Sequence, residues 1–124
     1  MDEPKIIKGM FKQLKDSTSI NFPNSGKVNV STEQGVYIIY SPTEKILHVG
    51  KTSRAKNGLN QRLQNHLTNN SSFSIQFLKS NGKILRSGYK FQYIVESNGR
   101  KRTLLEALAT GLLCPAHVGT GESR

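Results

Sequence analysis

Apolar positions along this chain follow two periods, and the switches between them mark its elements. From Pro4 to Lys15, Ile6, Ile7, Met10, Phe11 and Leu14 recur at helical spacing, with Lys5, Lys8, Lys12 and Lys15 outside the stripe. This predicts an amphipathic helix, preceded by Asp2 and Glu3 where acidic groups favour a helix start. Its lysines read either as a solvated face or as a ridge that contacts phosphates. Residues 16–34, rich in Ser, Thr, Asn, Pro and Gly, predict a connecting loop long enough to carry function or mobility. Two short apolar runs, Gly35 to Tyr40 and Ile46 to Val49, flank Ser41-Pro42-Thr43-Glu44-Lys45 and predict antiparallel strands joined by a turn.

The period then lengthens. Leu59, Leu63 and Leu67 stand four apart and predict a second helix. Phe73, Ile75 and Phe77 alternate weakly as a strand would, with Ser80-Asn81-Gly82 as a hairpin turn behind them. Tyr89, Phe91, Tyr93 and Val95 alternate more clearly and predict a strand. A last helix is expected from about Thr103 to Leu113, carrying Leu104, Leu105, Leu108 and Leu112, and ending near Cys114 because Pro115 disfavours helical geometry before it.

At 124 residues the chain has room for one core and no second globular unit. Its formal charge of +10 changes the picture more, because it points to an anionic polymer or surface. Nucleic acid is the first expectation, since each phosphate neutralised by Lys or Arg releases condensed counterions; an acidic membrane is the competitor. No apolar run approaches the ~18 residues that span a bilayer, and Met1-Asp2-Glu3-Pro4 does not open as a basic secretory leader. A soluble, cytoplasmic protein is therefore expected. Cys114 is the only cysteine, which excludes an internal disulfide and a CxxC zinc site.

On the second helix, Arg62 and His66 are one turn apart and fall about 40° from each other at the edge of the leucine stripe. A guanidinium suits phosphate because its planar fork donates two parallel charged hydrogen bonds, and histidine accepts a proton near neutral pH. The plain alternative is a pair of exposed polar residues. Glu106 lies at the rim of the last helix's apolar face, where it reads as a metal ligand or, in Thr103-Leu104-Leu105-Glu106, as the acid of a capping box. A single carboxylate with waters and a substrate phosphate is enough to hold magnesium. Tyr37, within an apolar strand, reads as core or as a catalytic group. Gly50-Lys51-Thr52 is not a phosphate loop, because Lys45 stands where the earlier glycine is required. His48, His66 and His117 have no zinc-site spacing.

Taken in order, Gly35-Val36-Tyr37, His48-Val49-Gly50-Lys51-Thr52, Leu59, Arg62, His66 and Glu106 resemble the GIY-YIG nuclease superfamily over about residues 33–118. That superfamily includes excision-repair nucleases, homing endonucleases and some restriction enzymes. The resemblance implies an α+β fold: a small, mainly antiparallel three-stranded sheet flanked by helices. Residues 33–120 would form the nuclease domain, and residues 1–32 an added helix and loop. It also implies a catalytic set of Tyr37, His48, Arg62, His66 and Glu106. Tyr37 would position or deprotonate the attacking water, Arg62 would oppose charge on the scissile phosphate, and His66 would stand near the nucleophile. Glu106 would hold the divalent ion, Mg2+ or Mn2+. Lys51 follows the second motif as a basic residue, and Lys51, Arg54, Lys8 and Lys12 are expected to contact nucleic acid. Two positions depart from the family's pattern. His48 stands where tyrosine is usual, and Pro115-Ala116-His117-Val118 lacks the asparagine that usually follows the last helix.

These readings give a metal-dependent endonuclease acting on DNA, with RNA as the other nucleic acid and no membrane. A weakly active or inactive nucleic-acid-binding module is the first alternative. The second is a regulatory domain that meets a protein partner or a second copy of itself. With no appended recognition domain, specificity is expected from the N-terminal helix and loop, from residues 71–90, or from a partner.

Overall fold

The computed structural model describes residues 2–54 and 56–119. Residues 1 and 120, the outer limits of the two segments expected above, lie outside them. The predicted first helix is α1, Glu3–Asp16, which buries Ile7, Met10 and Leu14. Four antiparallel strands follow: β1, Ile20–Asn21; β2, Gly35–Tyr40; β3, Ile46–Lys51; and β4, Lys90–Val95. They are ordered β1-β4-β2-β3. The three expected strands are all present, and the correction is the fourth, a two-residue strand from within the expected loop. That loop is pinned rather than free. Phe22 packs edge-on against Phe91 at 4.9 Å, Val28 is buried, and the amides of Val28 and Val30 donate to Gln64 and Asn60, each at 2.9 Å.

β2 is buried along its whole length, which explains why Gly35 to Tyr40 is a continuous apolar run rather than an alternation. One face of the strand gives Tyr37 and Ile39 to a core with Leu47, Phe91 and Leu59, Leu63 and Leu67 of α2, Gly58–Leu67. The other gives Val36, Ile38 and Tyr40 to a core with α1 and with Leu105 and Ala109 of α3, Gly99–Leu113.

Two expectations change. The 73–77 segment is a single π-helical turn, Phe73–Phe77, followed by a 3-10 helix, Gly82–Arg86, and not a strand and hairpin. Short-range bonds decide this. The Leu78 amide reaches the Phe73 carbonyl, and Ser71 accepts from Ser74, so serine side chains close the turn that the alternating pattern would have extended. Second, α3 begins four residues before Thr103. Asn98 caps it by accepting from the Lys101 amide at 2.9 Å. Glu106 is therefore in mid-helix, and the capping-box reading is overturned. The end is as predicted: Cys114 leaves the helix in a left-handed conformation ahead of Pro115. No helix among the described residues is long and apolar enough to cross a membrane.

Candidate functional site

β3 begins the site with an irregularity. Ile39 pairs with His48 but Tyr40 pairs with Ile46, so Leu47 is an extra residue and the strand is bulged there. Bulges re-aim side chains beside functional sites. Here the chain that follows α3 joins the bulged stretch: the amides of Ala116 and His117 donate to the carbonyls of Ile46 and Leu47 at 3.1 and 2.8 Å. This brings His117 against His48, with their Nδ1 atoms 3.1 Å apart. His117 Nε2 lies 3.0 Å from the Gln76 amide oxygen, which can only accept, so Nε2 carries the proton. A neutral His117 then accepts at Nδ1 from His48, and the His48 lone pair lies on Nε2.

A second chain of hydrogen bonds starts at Tyr37. Its hydroxyl is 2.7 Å from His66 Nε2, His66 Nδ1 is 2.6 Å from Ser71 Oγ, and Ser71 Oγ is 2.6 Å from Ser74 Oγ. Tyr37 is wholly buried, and burial pushes its phenol up to about 12, so the proton stays on oxygen. The phenol therefore donates to His66 Nε2, and His66 donates through Nδ1 to Ser71. The ring fills the core, as the core reading of Tyr37 expects, and the hydroxyl is engaged with His66. Gly50, paired with Tyr37 across the strands, is required here, because a Cβ at that position would run into the Tyr37 hydroxyl.

The two chains touch. The His48 ring centroid is 5.4 Å from that of His66 and 6.1 Å from that of Tyr37. Burial is the main reason both imidazoles stay neutral. It takes His48 down to about 3, with repulsion from His117 and Arg62 adding, and it takes His66 well below its ordinary value, with His48 and Arg62 adding. Burial lowers His117 as well.

Arg62 links the cluster. Its charge bears on Tyr37, His48, His66 and Glu106 alike. Among the described residues its Nε is buried with no hydrogen-bond partner, while elsewhere its guanidinium lies within bonding reach of the Tyr37 hydroxyl. An N–H so placed costs free energy until an acceptor reaches it. Glu106, half-buried on α3, has its carboxyl pushed up by burial, against the pull of Lys51 and Arg62.

The structure thus gathers Tyr37, His48, Lys51, Arg62, His66 and Glu106. Arg54 lies exposed in the loop after β3. Lys8 and Lys12 are exposed on α1, Lys12 paired with Asp16 at 2.9 Å, and no hydrogen bond, ion pair or resolved electrostatic effect joins them to the cluster. A cavity of about 300 Å³ lined by Lys15, Ser19, Tyr40, Glu44, Ile46 and Gln92 contains none of the cluster.

Sequence reasoning missed Ser71, Ser74 and Gln76, which orient the histidines, and it met His117 only as a histidine without zinc-site spacing and at the place of a missing asparagine. It also missed Arg102, buried and without a carboxylate partner among the described residues. Arg102 donates to the carbonyls of Thr52, Ser53, Glu96 and Ser97 at 2.8 to 3.0 Å and so fixes the loop after Lys51. The serine-rich stretch at 71–74 was the available signal for the turn; nothing local marks Arg102.

Among the described residues no group of three or more His, Cys, Asp and Glu side chains is arranged to hold a metal ion. The donor set fits the weaker form of site, in which one carboxylate holds a hard divalent ion and water and phosphate oxygens complete the shell. Glu106 has the matching character: a partly buried carboxyl whose ionised form burial disfavours and a nearby cation would favour. No protein-family model matches the chain, and no curated protein matches its sequence.

Proposed function

We propose that the chain is a metal-dependent nuclease that hydrolyses phosphodiester bonds in DNA, as its resemblance to GIY-YIG nucleases implies. The observation that carries the reading is the unpartnered, buried Nε of Arg62 beside the half-buried Glu106. A donor lacking an acceptor next to a carboxylate that burial disfavours suits a ligand that brings an acceptor and a cation, namely a phosphate with its metal ion.

In this reading Arg62 and Lys51 bind the phosphate oxygens and oppose the charge that grows as water attacks phosphorus. Glu106 would hold Mg2+ or Mn2+, which supplies further charge neutralisation at the phosphate. The neutral imidazole of His48, its lone pair on Nε2, takes the water proton as the new P–O bond forms and the bond to the leaving oxygen breaks. Tyr37 and His66 act from behind, holding the site's hydrogen-bond polarity in place. The overall charge of +10 draws the polyanion in.

Purified protein incubated with supercoiled plasmid and Mg2+, beside Glu106→Ala and an EDTA control, tests this. Nicked or linear products from the parent protein alone are expected. Equal products from both proteins would refute the role of Glu106. A second reading, a nucleic-acid-binding module that does not cut, is favoured by the complete burial of Tyr37. It predicts salt-sensitive DNA binding with intact plasmid at every metal concentration.

A further inference from the structure

Residues 71–90, which join α2 to β4, contain four basic residues, Lys79, Lys83, Arg86 and Lys90, and no acidic one. The same stretch holds three of the six large apolar side chains that stand exposed among the described residues: Ile75 at 53%, Phe77 at 37% and Ile84 at 36%.

Phe77 is not a loose surface ring. It stacks on Phe73 with centroids 5.5 Å apart and planes 11° apart, and Phe73 stacks on His48 at 4.8 Å and 22°. Three nearly parallel rings therefore run from the histidine cluster, through the fully buried Phe73, to an exposed face. The turn that carries Phe77 is tied to the cluster twice, by Ser71 to His66 and by Gln76 to His117. An exposed aromatic at the end of a ring column, in a stretch of chain with four basic residues and no acidic one, matches the way single-stranded nucleic acid is bound. Bases stack on aromatic faces while Lys and Arg follow the backbone.

We infer that Phe77 is a stacking platform for an unpaired base, so that the DNA acted on presents a single-stranded or unstacked nucleotide next to the phosphate bound at Arg62. The position of that phosphate rests on the nuclease reading; the stacking does not, and is read by binding alone. A base laid on Phe77 extends the column by one ring. Duplex DNA, whose bases are covered by their neighbours, gains only the charge contacts.

The test is equilibrium binding in EDTA of a single-stranded oligonucleotide containing 2-aminopurine, and of the same sequence as a duplex, to the parent protein, Phe77→Leu and Phe77→Tyr. Leucine keeps the apolar volume against Phe73 but offers no ring. Phe77→Leu is expected to weaken single-strand binding ~5- to ~150-fold, the range that one stacked base contributes. Duplex binding should stay within ~2-fold, and quenching of the 2-aminopurine should be lost. Phe77→Tyr should restore both binding and quenching. Unchanged single-strand affinity in Phe77→Leu, or an equal loss for single strand and duplex, would overturn the inference. Circular dichroism and urea midpoints confirm that each variant is folded. Phe77-dependent binding without any cleavage would defeat the nuclease reading and leave the stacking platform standing; cleavage indifferent to Phe77, with binding equally indifferent, would do the reverse.

Discussion

Lowering the pH from 7 to 5 is expected to cost the folded protein ~2 kcal/mol through the His48 imidazole, with His66 adding in the same direction. In the unfolded chain both titrate near the ordinary histidine value of ~6.5. In the folded protein burial holds His48 down at about 3 and His66 well below its ordinary value, with Arg62 and the neighbouring histidines repelling a charge on either. The sign follows from proton counts. Below ~6.5 the unfolded chain binds protons that the folded one refuses, so this stability is fully present above that pH and is lost as the pH falls. For each imidazole that remains neutral in the fold, protonation of the unfolded chain between pH 7 and 5 amounts to ~2 kcal/mol. The pair therefore draws heavily on the ~5–15 kcal/mol that holds a domain together. His117 shifts the same way and adds to the slope, whereas Glu106, raised by burial, opposes it. Urea unfolding at pH 7, 6 and 5 measures the dependence. His48→Phe, which keeps a ring against Phe73, should remove ~2 kcal/mol of it, and Glu106→Ala should steepen it. A stability flat to within ~0.5 kcal/mol over this range would refute the reasoning, because His48 would then be solvated or charged and unfit as a neutral proton acceptor.

Gly50→Ala should place a methyl group on the Tyr37 hydroxyl and 3.0 Å from its Cε1, against a ring that is wholly buried. We expect a loss of ~1–3 kcal/mol in urea unfolding from overpacking, together with loss of plasmid cleavage as the bond to His66 opens; an unchanged midpoint and rate would count against the geometry. Arg102→Met keeps the length of the side chain but strands the carbonyls of Thr52, Ser53, Glu96 and Ser97. A loss of ~2–4 kcal/mol is expected, with faster amide hydrogen exchange in residues 52–54, and unaltered exchange there would show that the clamp does not hold the loop.

Much of the fold follows from periodicity because the elements concerned are buried on defined faces. β2 and β3 stand out as apolar runs since β2 serves two cores, and α2 stands out because Leu59, Leu63 and Leu67 all enter one of them. The expectation failed where short polar side chains, rather than burial, decide the backbone. Ser71 and Ser74 wind Phe73–Phe77 into a turn whose outer residues face solvent, so the apparent alternation of Phe73, Ile75 and Phe77 never corresponds to two faces of a sheet. Asn98 likewise starts α3 in a stretch with no apolar periodicity to announce it. The site was readable in part for a related reason. Arg62 and His66 are neighbours by helical geometry alone, whereas the pairing of His48 with His117, 69 residues apart, depends on a bulge at Leu47 that no local pattern encodes.

The bulge also accounts for why the cluster is polar at all. On a regular strand every second residue of β3 would enter the α2-side core, and an imidazole there would be a buried polar group with nothing to bond. By inserting Leu47, the strand frees the backbone carbonyls of Ile46 and Leu47 on its edge for the amides of Ala116 and His117, and this draws His117 in as the partner His48 needs. Tyr37, His66, Ser71 and Ser74 satisfy one another in the same way. With these groups paired, the Arg62 Nε stands out as the donor in the cluster that no other described residue satisfies. A buried N–H of this kind is a standing cost that the fold sheds only when an external oxygen arrives. Arg62 is therefore the residue at which binding, rather than folding, should show the largest effect of substitution.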